Sequence, residues 1–255
     1  MIKLDNVEIK PTIFPDGTSQ VWKLPEGMLE DLAKRGSCTI TWNFESEVEL
    51  IHIAQLKDLL NTYFIPTKLS VPYLPYARQD KPVTNESTSA LYTFAGLINK
   101  MGFTTVTTVD VHSSVARTLI SNLQNVIPSM SIFGAFSKSG AEVILYPDLG
   151  AQKRCPGHIR GEIGNKAVHA TKDRDPGTGH ITNVQIQGDV VDKSILIVDD
   201  LCDGGMTFKL VAEAALRAGA VIVHLYVTHG LFTKGLKTLR DSGIKRIFTY
   251  GGEVG

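Results

Sequence analysis

The sequence predicts an α/β fold with mostly parallel sheets, and three observations carry that expectation. Short apolar, β-branched runs recur along the chain. Stretches with apolar residues at helical spacing separate them, and polar clusters follow several of the runs. Strands that alternate with helices give a parallel sheet covered on both faces, with ligands beyond the carboxyl ends of the strands.

The elements follow in order. Residues 47–61 place Leu50, Ile53, Leu56 and Leu60 at helical spacing, and residues 69–72 form a short strand that enters a Pro- and Tyr-rich loop. Residues 88–101 carry Leu91, Phe94, Leu97, Ile98 and Met101 on one helical face, residues 104–109 are a strand, residues 114–122 a helix and residues 142–146 a strand. In the second half, 194–198 is an apolar strand bounded by Asp199 and Asp200. A helix is expected at 207–218, a strand at 221–227, a helix at 233–241 and a strand at 245–249. The stretch 122–128 is the candidate junction, which divides the chain into residues 1–127 and 128–255.

The 255 residues balance 26 Lys and Arg against 26 Asp and Glu. A net charge of zero argues against nucleic-acid or membrane partners. Three scattered cysteines, Cys38, Cys155 and Cys202, form neither a disulfide framework nor a CxxC metal site. The first residues lack the apolar core of a signal peptide, and no apolar run is long enough to span a bilayer. The expectation is a cytoplasmic protein.

The most informative segment runs Ile195-Leu196-Ile197-Val198-Asp199-Asp200-Leu201-Cys202-Asp203-Gly204-Gly205-Met206-Thr207. An apolar strand ends in two carboxylates, then a two-glycine loop opens a helix. Glycine lets backbone N–H groups approach an anion, and a helix N-terminus adds donors and a favourable dipole. Such a loop suits a phosphate monoester, and the two acids can accept from vicinal hydroxyls. From these residues alone, an N-capped helix beside solvated acids is about as good a reading.

The segment resembles the phosphoribosyl-binding signature shared by phosphoribosyltransferases and ribose-phosphate diphosphokinases, in which two acids are followed by Asp-Thr-Gly-Gly-Thr. Here Gly204 stands for a threonine and Met206 for a glycine. Tyr76-Ala77-Arg78-Gln79-Asp80-Lys81 resembles the Tyr-Ala-Arg-Gln-Asp-Arg motif of the diphosphokinases, which phosphoribosyltransferases lack. Phe14-Pro15-Asp16-Gly17 resembles their Phe-x-Asp-Gly element, and Thr108-Val109-Asp110-Val111-His112 their Thr-Val-Asp-Leu-His. Tyr146-Pro147-Asp148-Leu149-Gly150 is similar to Ser-Pro-Asp-Ile-Gly, and residues 168–175, with Lys172 and Arg174, to the catalytic Lys-Arg-Arg stretch. Each piece alone has a plainer reading: a solvated loop at Arg78 and Gln79, a simple turn at Phe14 and Asp16, a surface histidine at His112, a turn at Asp148, a charged surface hairpin at 168–186. Tyr226-Val227-Thr228-His229-Gly230 adds a further match. The resemblance spans residues 14–230 in the family's order, and it is to a short form, since the common family chain continues further.

The resemblance implies two Rossmann-like, phosphoribosyltransferase-type domains. It implies an enzyme that transfers the β,γ-diphosphoryl group of ATP to the C1 hydroxyl of ribose 5-phosphate, with Mg2+ as cofactor. Lys172 and Arg174 would be catalytic. Phe14, Asp16, Arg78, Gln79 and His112 would bind ATP. Asp199, Asp200, Asp203, Gly204, Gly205, Met206 and Thr207 would bind ribose 5-phosphate, and His112 and Asp148 the metal. Lys172 and Arg174, two apart on a strand, would face the same side. A homo-oligomer, a dimer or larger, is implied as well. Because residues 81–87 offer one lysine and the acid Glu86 where longer members hold a regulatory anion, no phosphate activation is expected. The alternatives are a phosphoribosyltransferase, which would not need Phe14, Arg78 or Gln79, and a non-catalytic regulator or structural partner, which would not keep Lys172, His112 and Asp148.

Overall fold

A computed structural model describes residues 1–155, 159, 167–174 and 181–255. The chain forms two compact units, Met1–Val126 and Ile127–Gly255, and each is built on its own sheet.

The first unit has a six-stranded sheet in the order β2-β1-β5-β6-β7-β8: β1 Ile2–Leu4, β2 Val7–Ile9, β5 Cys38–Trp42, β6 Thr67–Ser70, β7 Thr105–Val109 and β8 Leu123–Val126. From β5 to β8 the strands are parallel, and β1 pairs antiparallel with both β2 and β5. The helices are α1 Met28–Arg35, α2 Glu49–Thr62, α3 Ala90–Met101 and α4 Ser114–Leu119. Most of the apolar positions expected on α2 and α3 go inside: Ile53, Leu56 and Leu60 pack with Leu91, Phe94 and Ile98 around Ile40, Trp42 and Leu69. Leu50 and Met101 are partly buried against them, and Leu97, expected on the same face, is exposed because it points away from this core. A small hairpin, β3 Thr12–Ile13 and β4 Ser19–Gln20, is docked on α2 by Ser19 Oγ with His52 Nε2 at 2.7 Å and by Gln55, which binds both Val21 N and Ser19 O.

The second unit has a seven-stranded sheet in the order β11-β10-β9-β12-β13-β14-β15. Its strands are β9 Val143–Tyr146, β10 Ala167–Arg174, β11 Ile181–Gln187, β12 Ser194–Cys202, β13 Ile222–Gly230, β14 Ile244–Thr249 and β15 Gly252–Val254. The five from β10 to β14 are parallel, and each edge is closed by an antiparallel hairpin. Helices α5 Ser129–Ser139, α6 Leu149–Arg154, α7 Met206–Arg217 and α8 Lys237–Asp241 complete it. Alternate strand residues serve opposite faces. Val143, Leu145, Ile195, Ile197 and Val223 pack with Phe208, Val211 and Ala215 of α7. Ile144, Tyr146, Leu196, Val198 and Tyr226 pack with Ile132 and Ala135 of α5 and Ala151 of α6. Burial on both faces explains the continuous apolar strands.

Several boundaries differ from the sequence expectation. The strand expected to stop at Val198 continues through Asp199 and Asp200 to Cys202, because β13 pairs with it as far as Cys202↔Gly230. The helix expected at 233–241 is only Lys237–Asp241, since Gly235 sits in the left-handed region at φ 69° and ends any helix there. The helix expected at 114–122 ends at Leu119, and the following residues become β8, beside β7.

Candidate active site

In the second unit β9 lies between β10 and β12, so residues at the carboxyl ends of these strands meet. Asp148, just beyond β9, caps α6: its Oδ1 accepts the Ala151 N–H at 2.8 Å. Its Oδ2 receives Lys172 Nζ, from β10, at 3.0 Å. The Lys172 side chain is only 8% exposed, while that of Asp148 is 46% exposed. Burial works against the Asp148 charge. The Ala151 N–H, the Lys172 ammonium and Arg154 outweigh it and hold the carboxyl below its ordinary range.

Arg154, the last residue of α6, closes the arrangement. Its Nη2 donates to Asp199 Oδ1 at 2.7 Å and to Asp200 Oδ1 at 2.9 Å. The two acids expected beside a sugar therefore hold an internal cation. Burial and the adjacent Asp200 carboxylate push the Asp199 carboxyl well above its ordinary range, with Arg154 pulling the other way, so the pair titrates as a unit. Burial disfavours the Arg154 charge, yet Asp200 and Asp199 more than restore it. Gly150 makes room for this contact. A Cβ there would stand 3.0 Å from Asp148 Oδ1 and 3.4 Å from Arg154 Nη1.

Beyond the acids, the loop enters α7. The left-handed residue is Gly205, at φ 82°, and Met206 begins the helix in ordinary geometry. The replacement of a glycine by Met206 thus falls where a side chain is tolerated, and that side chain is about half exposed. Gly204 has no positive φ. Asp203 accepts from Thr233 Oγ1 at 2.7 Å, which ties the loop to the segment after β13, and Thr207 lies in the first turn of α7, where N–H groups have no partner within the helix.

Lys172 lies on β10, antiparallel to β11, so the expected hairpin forms. The ladder shifts register between Asp173 and Arg174, and the alternation argument that placed Lys172 and Arg174 on one face stops there. The Arg174 side chain lies outside the described residues, as do residues 175–180 of the expected glycine-rich tip.

In the first unit, the loops after β6 and β7 are joined: Ser113 Oγ donates to Asp80 Oδ2 at 2.6 Å, and Pro72 O accepts from Val109 N and Thr108 Oγ1. Arg78, Gln79 and His112 are exposed on these two loops. Tyr76 and Asp110 adopt positive φ (63° and 48°), conformations that cost energy for residues with a side chain. Tyr76 is held by its hydroxyl on Glu47 at 2.7 Å. Phe14 and Asp16 lie apart, on the β3–β4 hairpin. The Phe14 ring meets Trp22 edge-on at 6.1 Å, and Asp16 is engaged locally by the Thr18 N–H and hydroxyl, which lower its carboxyl pKa. Asp16 therefore shapes its own turn.

The structure brings together Asp148, Lys172, Asp199 and Asp200, and the 203–207 loop follows directly. Of the expected metal pair, His112 belongs to the first unit and Asp148 to the second. Among the described residues no cluster of three His, Cys, Asp or Glu could hold a metal ion by itself. Arg154 was missed by the sequence reading. Its place at a helix end after a lysine looks like an ordinary basic last turn, and its partners lie 45 and 46 residues on.

A family model described as a phosphoribosyl transferase domain matches residues 162–251. A ribose-phosphate pyrophosphokinase of Pyrococcus furiosus is 32% identical over 91% of this chain and 80% of its own length. The enzyme of that name from Pyrococcus abyssi is 31% identical over 91% and 79%. One from Mesorhizobium japonicum is 29% identical over 69% of this chain, which spans 57% of that relative. The crystal structure of a phosphoribosylpyrophosphate synthetase from Mycobacterium smegmatis superposes with a TM-score of 0.68 at 17% identity, covering 89% of this chain and 86% of that one. It shares the α/β fold with mostly parallel sheets. With the two Pyrococcus relatives matched over nearly the whole chain, this protein belongs to the ribose-phosphate pyrophosphokinase family.

Proposed function

We propose that the chain transfers the β,γ-diphosphoryl group of ATP to the C1 hydroxyl of ribose 5-phosphate, giving phosphoribosyl diphosphate and AMP. The observation that carries this reading is the convergence of Lys172, Asp148 and the Asp199–Asp200 pair beside a glycine loop, in a chain of this family. The 203–207 loop would hold the 5-phosphate through backbone N–H groups. Asp199 and Asp200 would accept from the ribose hydroxyls, exchanging them for Arg154. In the reaction the C1 oxygen bonds to the β-phosphorus, the bond from that phosphorus to the α,β-bridging oxygen breaks, and the hydroxyl proton leaves to solvent. Lys172 would offset charge that migrates to the departing oxygen, with Arg174 as its expected partner. Phe14, Asp16, Arg78, Gln79 and His112 would serve ATP. A guanidinium suits its phosphates and an amide its purine edge.

Magnesium fits this donor set. Asp148 keeps an anionic carboxylate with hard oxygens, the kind of donor magnesium takes alongside substrate phosphates and water. When bound, it would neutralise phosphate charge and polarise the transferring group. His112 is the other residue proposed near it.

No helix among the described residues is long and apolar enough to cross a membrane, and the three cysteines are buried thiols. The buried free thiols suit a cytoplasmic enzyme, which we expect to be a homo-oligomer. The test is AMP release from ATP with ribose 5-phosphate and magnesium each omitted in turn. AMP formed only when all three are present supports the reading. AMP formed without the sugar, or pyrophosphate release from phosphoribosyl diphosphate with a base acceptor in its place, refutes it.

A further inference from the structure

Resting on that reading of the 203–207 loop, we propose that Lys234 is a ligand of the 5-phosphate and takes over the role left open by the missing hydroxyl at position 204. The loop departs at Gly204 from the signature it resembles, which has a threonine there, so this position offers no hydroxyl. Nothing in the backbone forces glycine here, because φ at Gly204 is not in the left-handed region. What occupies the space is another side chain. A Cβ built on Gly204 would lie 3.3 Å from Lys234 Cδ, 3.5 Å from Cε and 3.6 Å from Cγ. The aliphatic stem of Lys234 thus runs along the loop at this residue, and its ammonium stands one bond beyond Cε.

The lysine is presented by a braced turn. Leu231 N and Phe232 N both donate to Cys202 O, at 2.8 and 3.3 Å, so the chain after β13 is fastened to the end of β12. Gly235 N returns to Phe232 O at 2.7 Å, with Phe232 at φ 46° and Gly235 at φ 69°. Thr233, next to the lysine, binds Asp203 in the loop. These bonds set the base of Lys234 relative to the glycines, while its exposed side chain remains accessible to a ligand. An exposed ammonium with three donors suits a phosphate dianion as a point charge and needs no fixed fork geometry. Gly204 and Lys234 therefore form a matched pair: the glycine leaves the channel through which the lysine stem passes.

The inference is tested on the full chain by calorimetric titration with ribose 5-phosphate and, separately, with magnesium-ATP. The variants are Lys234→Met, which keeps the stem and removes the charge, and Lys234→Arg, which keeps the charge. Lys234→Met should weaken ribose 5-phosphate at least tenfold and ATP less than twofold, while Lys234→Arg stays within threefold of the parent. Adding Gly204→Thr to Lys234→Ala, which clears the stem from position 204, should recover at least threefold in sugar-phosphate affinity over Lys234→Ala alone. Ribose 5-phosphate bound by Lys234→Met within twofold of the parent would overturn the assignment while leaving the proposed reaction standing. Equal losses for both ligands would overturn it too. A folded parent chain that binds no ribose 5-phosphate would overturn the proposed function itself.

Discussion

Replacing Arg154 by methionine keeps most of the volume of the side chain and removes the cation between Asp199 and Asp200. Both acids are largely shielded: their side chains are 13% and 3% exposed, against 30% for Arg154. Removing one member of a buried ion pair costs about 3–5 kcal/mol, because the charge left behind is uncompensated. The partial exposure of the guanidinium reduces this, so Arg154→Met should cost about 2–4 kcal/mol at pH 8. The loss must depend on pH. The Asp199 carboxyl is already raised by burial and by Asp200, and without Arg154 it rises further. A carboxyl raised above its unfolded value adds stability below the ordinary carboxylate range, and that contribution disappears as pH climbs through the folded value. On descending from pH 8 to pH 5 the variant takes up a proton and recovers, by about 1 kcal/mol or more. The assay is urea unfolding at both pH values, followed by circular dichroism and by tryptophan fluorescence in parallel. Trp22 and Trp42 both lie in the first unit, so fluorescence reports on that unit and dichroism on both. A variant within about 0.5 kcal/mol of the parent at both pH values, the spread of ordinary surface substitutions, would refute the reasoning.

Three further outcomes follow from the same contacts. Lys172→Met should lower turnover by about 10²–10³-fold, the loss typical of one transition-state donor, with ribose 5-phosphate still bound; a variant within threefold of the parent takes Lys172 out of the chemistry. Burial raises the Glu49 carboxyl, but the Met1 amino group, the Glu45 and Ser46 N–H groups and Trp42 Nε1 bring it below its ordinary range. Its contribution is present above the ordinary carboxylate range and is lost as pH falls through the folded value. Glu49→Gln should therefore cost about 1–2 kcal/mol at pH 7 and much less at pH 3, read from Trp42 fluorescence, and a pH-independent loss would contradict this. Burial, Asp203 and Asp199 push the Cys202 thiol up to about 12, so iodoacetamide at pH 8 should leave it unmodified in the folded chain and label it in urea, as mass spectrometry would show.

The parts of the fold legible in sequence were those where one physical signal dominates. Helices α2 and α3 announced themselves by apolar spacing, and β9, β12 and β13 by burial on both faces. Where two demands compete, the sequence misleads. Hydropathy ends β12 at Val198, yet Asp199 and Asp200 are strand residues, because the ladder to β13 runs on to Cys202↔Gly230. The short strands β1, β2 and β8 left little trace, since three or four residues carry too little periodicity. In the site, motif order located Asp148, Lys172 and the acid pair, but no local pattern could show that Arg154 would neutralise acids 45 residues away. Nor could it show that Lys234 would lie along Gly204. Both are contacts made only by the packing of the sheet.

The unequal pairing of β10 bears on how such an enzyme can change over time. Only residues 167–169 of this strand are bonded to β9, whereas pairing with β11 continues to Arg174. Past His169 the strand keeps β11 as its ladder partner, and Lys172 stands three residues out, about 10 Å along it. Matched insertions or deletions beyond Lys172, one residue on each arm, alter the reach of the hairpin without disturbing any parallel pair of the core. The lysine stays at a fixed distance from the sheet, while whatever the far end touches is free to diverge. Selection can thus retune one half of the site by changing length, and leave the registered half as it was.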